Sequence, residues 1–117
     1  MKERRISPRI DKTIPLKLSN SGFDILTETT NISSSGAYCS VNQPIELMTK
    51  LNLVLLIPII KNKSKAIEKI NCCGVVVRQE KVTDNGKYPY RVGICFNDLK
   101  ERDKKTLRSY VNSHLKK

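Results

Sequence analysis

At 117 residues the chain has the length of one domain, and with 38% hydrophobic and 28% charged residues it has the composition of a folded globular protein rather than a disordered one. Lys and Arg number 22 against 11 Asp and Glu, a formal net charge of +11 that favours anionic partners: nucleotides, nucleic acid, acidic proteins or membrane surface. The N-terminus is charged and lacks an apolar h-region, and the longest apolar run, Leu51 to Ile60, is interrupted by Asn52 and Pro58, so neither a signal peptide nor a transmembrane segment is read and a cytoplasmic location is expected.

Residues 1–12 are polar and basic and read as an arm. From Thr13, apolar Ile14, Leu16 and Leu18 alternate with Thr13, Pro15 and Lys17, the period of a strand with one buried face. Pro15 cannot donate a ladder hydrogen bond, which places it at an edge or an unpaired position. Ser19-Asn20-Ser21-Gly22 is a turn cluster, and a second strand through Phe23, Ile25 and Thr27 completes a hairpin. A short strand is expected over Ala37–Val41 and a strongly apolar one over Leu51–Ile57, ended or kinked by Pro58. Lys61 to Lys65 reads as a solvated loop. Ala66 to Val82 reads as one long strand with a bulge or bend at Gly74. Asp84-Asn85-Gly86 is a hairpin signal, because Asn-Gly accepts positive φ. Tyr90, Val92, Ile94 and Phe96 alternate in a last strand.

The period then changes. Leu99, Leu107, Tyr110, Val111, His114 and Leu115 fall on one helical stripe, with Asp98 as N-cap, Glu101 completing a capping box, and Lys116 and Lys117 at the negative end of the dipole. Short connections make the strands antiparallel. The expected fold is mainly β: a six-stranded antiparallel barrel over residues 13–97, with a C-terminal helix over 98–117 covering an open end.

Two polar clusters carry the chemistry. Arg4, Arg5 and Arg9 surround a Ser7-Pro8 turn signal with no acidic residue among them. A guanidinium is permanently charged and planar, bonds bidentately to phosphate or to the O6/N7 edge of guanine, and stacks on a purine face. Arg5 and Arg9 span about 13 Å when extended at ~3.3 Å per residue, and the Ser-Pro turn would draw them together. The second cluster is Asn31-Ile32-Ser33-Ser34-Ser35-Gly36. Asn31 offers an acceptor and a donor and Ser33 a hydroxyl, and a strand-like spacing would project both to one side. Gly36 allows a left-handed or tightly turned backbone and close approach of a ligand. Taken alone, each cluster also reads as a basic tail or a polar β-turn.

Together, Arg5-Ile6-Ser7-Pro8-Arg9 and Asn31-Ile32-Ser33-Ser34-Ser35-Gly36 resemble the R-x-x-x-R and [D/N]-x-S-x-x-G signature of PilZ domains, the bacterial receptor modules for cyclic di-GMP. Asn31 is the less common choice beside Asp. Gly74-Val75-Val76-Val77-Arg78 and Val92-Gly93-Ile94-Cys95-Phe96 look like that family's later strands, so the resemblance runs the length of the chain. It implies a six-stranded barrel with the arginine arm wrapping the ligand. Arg5 and Arg9 would grip guanine and phosphate, Asn31 and Ser33 would contact guanine, and Gly36 would shape the turn. Arg4, just before the motif, is similar to the extra arginine of domains that take an intercalated dimer of the nucleotide.

The remaining candidates are weaker. Cys39, Cys72, Cys73 and Cys95 lack paired C-x-x-C spacing and read as reduced core thiols rather than a metal site, and adjacent Cys72 and Cys73 should face opposite sides of a strand. His114 is the only histidine. With neither a Ser/His/Asp arrangement nor paired acid–base carboxylates, no enzymatic activity is expected, and no cofactor beyond the ligand. The leading expectation is a cyclic di-GMP receptor relaying a conformational signal from its arm to a protein partner that the sequence does not identify. The alternative is a small basic barrel binding single-stranded nucleic acid, which aromatic residues at only 5% make unfavourable, since such binding needs stacking platforms.

Overall fold

Alternation dictates the wall of the molecule. The computed structural model describes residues 8–82 and 88–115. They form β1 (Pro15–Asn20), β2 (Phe23–Ile32), β3 (Gly36–Val41), β4 (Lys50–Lys61), β5 (Ser64–Lys81), β6 (Tyr90–Asn97) and α1 (Glu101–Leu115). Leu16 and Leu18 of β1, Leu51, Leu53, Leu55 and Ile57 of β4, Ile70 and Val76 of β5, and Val92 and Ile94 of β6 enter one core. Side chains two apart share a face, so each strand delivers a whole row inward, each large residue contributing about 1.5–3 kcal/mol of burial.

The strands pair antiparallel in the order β1-β2-β3-β6-β5-β4, and β4 returns to β1 to close the barrel. This is the mainly β, six-stranded antiparallel barrel with a C-terminal helix that the alternation implies. Beyond Leu55 and before Cys73 the ends of β4 and β5 pair only with each other, forming a ribbon that outruns the other strands. On α1, Leu107, Tyr110 and Val111 are buried and Leu99 is partly so. The His114 ring meets Tyr110 edge-on with centroids 4.6 Å apart. Leu115 is exposed, so the buried stripe ends one turn early.

Several local expectations are corrected. Pro58 neither ends nor kinks β4, which runs on to Lys61 with Pro58 opposite Ile67. It lies on the ribbon, where β4 has a neighbour on one side only, the setting in which a missing N–H is tolerated. The solvated loop at Lys61–Lys65 is a tight turn, with Lys61 already paired to Ser64 and positive φ at both Asn62 and Lys63 (52° and 66°). That geometry matches the right-handed twist of the flanking strands. Gly74 is not a bulge. It pairs in register with Leu51 and Phe96 on the inner face, where an added Cβ would come within 2.8 Å of both Ile94 Cγ2 and Leu53 Cδ1. The register shift of β5 falls instead between Val76 and Arg78.

Asp98 is not the N-cap. It sits at φ 62° in the turn leaving β6, while the Lys100 carbonyl accepts the Lys104 N–H at 2.9 Å and the helix starts at Glu101. Glu101 and Asp103 still place negative charge at the positive end of the helix dipole. Of the four cysteines, Cys39 and Cys72 are buried as expected, whereas Cys73 is half-buried and Cys95 exposed on the outer face. Burial pushes the Cys39 and Cys72 thiols up to about 12. The Asp84-Asn85-Gly86 turn and Lys116–Lys117 lie outside the described residues.

Candidate functional site

The basic arm meets the barrel one residue after its last arginine. Ile10 is buried and exchanges two backbone hydrogen bonds of 2.9 Å with Ile32 at the end of β2. Thr29, itself buried, fastens the next residues: its hydroxyl donates to the Lys12 carbonyl at 2.6 Å and accepts the Ile14 N–H at 2.9 Å. With Ile10 turned inward, its neighbour Arg9 is left on the outside. Its guanidinium lies over the Tyr38 ring, 4.9 Å from the centroid.

Two bulges build the surface beneath it. β2 pairs Thr29 with Cys39 and then Asn31 with Tyr38, so Thr30 is an extra residue. Without it Asn31 would follow Thr29 into the core. With it Ile32 turns inward and Asn31 outward, the kind of re-aiming for which bulges serve. In β5 the shift at Val77 does the same for Arg78, which then opposes Gly93. The registers Asn31–Tyr38, Tyr38–Gly93 and Gly93–Arg78 set these four residues in one outward row across β2, β3, β6 and β5. At Gly93 an added Cβ would lie 3.2 Å from Tyr38 Cζ and 3.3 Å from Arg78 Cβ, so the tyrosine ring reaches across the glycine. In the next row Arg91 lies between Ser40 and Glu80.

Asn31 Oδ1 is buried with no hydrogen-bond partner, and so is Arg91 Nε; among the described residues these are the two such side-chain atoms. A buried acceptor without a donor costs about 1–3 kcal/mol unless something supplies one.

Ser33 and Gly36 are arranged differently from expectation. Ser33 lies past the end of β2, so the strand period does not carry it to the side of Asn31. It is buried, and its Oγ accepts the N–H groups of Ser35 (3.1 Å) and Gly36 (3.2 Å), while the Ser33 N–H donates to the Gly36 carbonyl at 2.8 Å. The hydroxyl closes the turn from within. Gly36 has no positive φ. An added Cβ there would stand 2.3 Å from the Ile94 carbonyl oxygen, so the close approach that demands glycine is that of the β6 backbone. The motif turn is thereby locked to β6, with the Phe96 N–H also donating to the Ser35 carbonyl at 2.9 Å.

Of the expected site residues, Arg9 and Asn31 thus share one outer face, with Ser33 and Gly36 forming the turn at its end. Arg4 and Arg5 lie outside the described residues. Tyr38, Gly93 and Arg78 were not singled out as site residues, because their convergence depends on two bulges and three strand registers. The one signal in the sequence was a break in parity, inward positions being odd at Ile25 and Thr29 and even at Ile32. A concavity of about 850 Å³ lies elsewhere, between the β4–β5 ribbon and α1, lined by residues such as Ile59, Ile67 and Tyr110.

A family model described as the PilZ domain matches residues 3–113. The chain belongs to the PilZ domain family. Its fold is similar to that of Bacillus subtilis inhibitor of motility MotI/DgrA, at TM-score 0.80 and 17% identity over 97% of this chain and 52% of that one. It is also similar to the PilZ domain of CeSA from a cellulose-synthesising bacterium, at TM-score 0.57 and 17% identity over 93% and 99% of the two chains. MrkH, a c-di-GMP-dependent transcription regulatory factor, aligns at TM-score 0.68 and 16% identity over 96% of this chain and 51% of its own. This PilZ chain therefore spans about half the length of MotI/DgrA and of MrkH. No curated protein sequence matches it.

Proposed function

We propose that this PilZ domain is a non-enzymatic receptor for cyclic di-GMP. The observation that carries the reading is the pairing, on one outer face, of the Arg9 guanidinium with the unpartnered buried Oδ1 of Asn31. Guanine presents N–H donors on one edge and acceptors on another, and the ligand's phosphates are anionic. A carbonyl acceptor beside a guanidinium matches that combination. Arg5 supplies the second guanidinium of the signature and Arg4 the extra one for an intercalated nucleotide dimer. Ser33 and Gly36 hold the turn that sets Asn31 in place, an indirect role that fits their internal bonds.

Two arginine–guanine contacts at roughly 1–3 kcal/mol each fall short of the ~8 kcal/mol that micromolar affinity requires, so Asn31 and base stacking must contribute. Residues from Ile10 onward are already fastened by Ile32 and Thr29, which limits the ordering cost to the arginine segment itself. Ordering of that segment on the ligand is the change a protein partner would read.

Calorimetric titration with cyclic di-GMP at near-physiological salt, with GTP and a short oligonucleotide as controls, tests the proposal. Saturable binding selective for the cyclic dinucleotide is expected, and a ratio near two ligands per chain would assign the Arg4-assisted dimer. Binding of the oligonucleotide alone would favour the nucleic-acid reading and overturn this one.

A further inference from the structure

Tyr38 has no place in the signature motifs, yet the arm rests on it. Its ring reaches over Gly93, where an added Cβ would come within 3.2 and 3.3 Å of Cζ and Cε2, tighter than ordinary packing. It also carries the Arg9 guanidinium at 4.9 Å, inside the ~6 Å range of a cation–π contact. Asn31, with its unpartnered oxygen, is the cross-strand neighbour of the same tyrosine. Both Gly93 and Arg9 thus lie against the Tyr38 ring.

A cation–π contact engages a guanidinium through a face, its N–H donors lie in its plane, and Arg9 is exposed. From this geometry we infer that Tyr38, seated on Gly93, is a positioning residue: it docks Arg9 on the barrel before ligand arrives and orients it so that a purine base stacks on the outer face while a phosphate takes the edge. The inference rests on the receptor reading above and specifies how that site is prepared. Fixing Arg9 in advance removes part of the cost of ordering the arm, so Tyr38 raises affinity without touching the ligand.

The test is a double-mutant cycle read by cyclic di-GMP titration, with thermal melts as the control for folding. Tyr38 is half-buried on the outer face, so Tyr38→Leu leaves the hydrophobic core intact. Tyr38→Leu is expected to weaken binding about five- to tenfold, the scale of a partly desolvated cation–π contact. Tyr38→Phe, which keeps the ring, should restore most of that loss. In an Arg9→Lys background, whose compact ammonium cannot stack flat, the Tyr38→Leu effect should shrink to about twofold or less. In the ligand-free chain the Arg9 side-chain protons should show an upfield ring-current shift that Tyr38→Leu abolishes, and this reading on the unaltered protein stands even if a variant fails to fold. Binding by the unaltered chain that is insensitive to Tyr38, an equal loss in both Arg9 backgrounds, or unshifted Arg9 resonances would each overturn the inference alone. Absence of cyclic di-GMP binding by the unaltered chain would overturn the receptor reading and this one with it.

Discussion

Asn31 and Ser33 are two residues apart in one motif and do opposite physical work. The Ser33 hydroxyl is spent inside the turn, whereas Asn31 keeps a buried oxygen that the protein does not satisfy. Truncating them should therefore separate stability from binding. Ser33→Ala leaves the Ser35 and Gly36 N–H groups without their acceptor and is expected to cost about 1–2 kcal/mol in urea unfolding, lowering nucleotide affinity only as a consequence. Asn31→Ala removes an unsatisfied group and should leave the unfolding midpoint unchanged or slightly raised, while weakening cyclic di-GMP about tenfold by calorimetry. Equal losses of stability in the two variants would refute this division of labour. The roles assigned by family resemblance gave both residues to the ligand. The Ser33 hydroxyl is bonded within the turn and Asn31 Oδ1 is not, a difference that nothing in the spacing N-x-S announces.

Elements are tied together at a few points whose importance the strand pattern does not announce. The Thr29 hydroxyl bridges β2 to the chain at Lys12 and Ile14, so Thr29→Val, nearly isosteric, strands one buried donor and one acceptor. A loss of about 1–3 kcal/mol is expected in chemical denaturation, with faster hydrogen exchange at Ile14 N–H. Gly36 joins β3 to β6 at a distance that a methyl group would close to 2.3 Å against backbone, and Gly36→Ala should destabilise the domain by ~2 kcal/mol or more through displacement of β6. The β4–β5 turn offers the opposite case. Lys63 holds φ 66° at some cost, and Lys63→Gly is expected to raise stability by about 0.5–1 kcal/mol, read as a higher melting temperature. The sequence around it, Lys61-Asn62-Lys63-Ser64, reads as a solvated loop because the Gly that marks such turns is absent.

At the scale of the whole molecule, the buried thiols make stability depend on alkaline pH. Cys39 and Cys72 ionise near 9 when unfolded and are pushed up to about 12 when folded, chiefly by burial. The folded chain thus holds its protons longer than the unfolded one. Their contribution is complete below pH 9 and is lost as pH rises towards 12. Urea midpoints measured under reducing conditions should fall over that window, and a Cys39→Ala/Cys72→Ala chain should fall less steeply. Thiol labelling at mildly alkaline pH should modify Cys95 before Cys39 and Cys72, since Cys95 is exposed whereas burial both covers the other two thiols and holds them protonated. No helix among the described residues is long and apolar enough to cross a membrane.

The strand alternation, the switch to a helical stripe after Leu99 and the two polar motifs were legible in the sequence, because side-chain period follows directly from backbone geometry and those motifs are local. That was enough for a six-stranded barrel with one helix. What it could not supply were features set by partners distant in the chain. The bulges at Thr30 and Val77 turn Asn31 and Arg78 outward, Gly93 makes room for the Tyr38 ring, and Ile94 decides why position 36 is glycine. Each is a relation between strands brought together only when the barrel closes, so tertiary structure alone decided the face on which Arg9 rests.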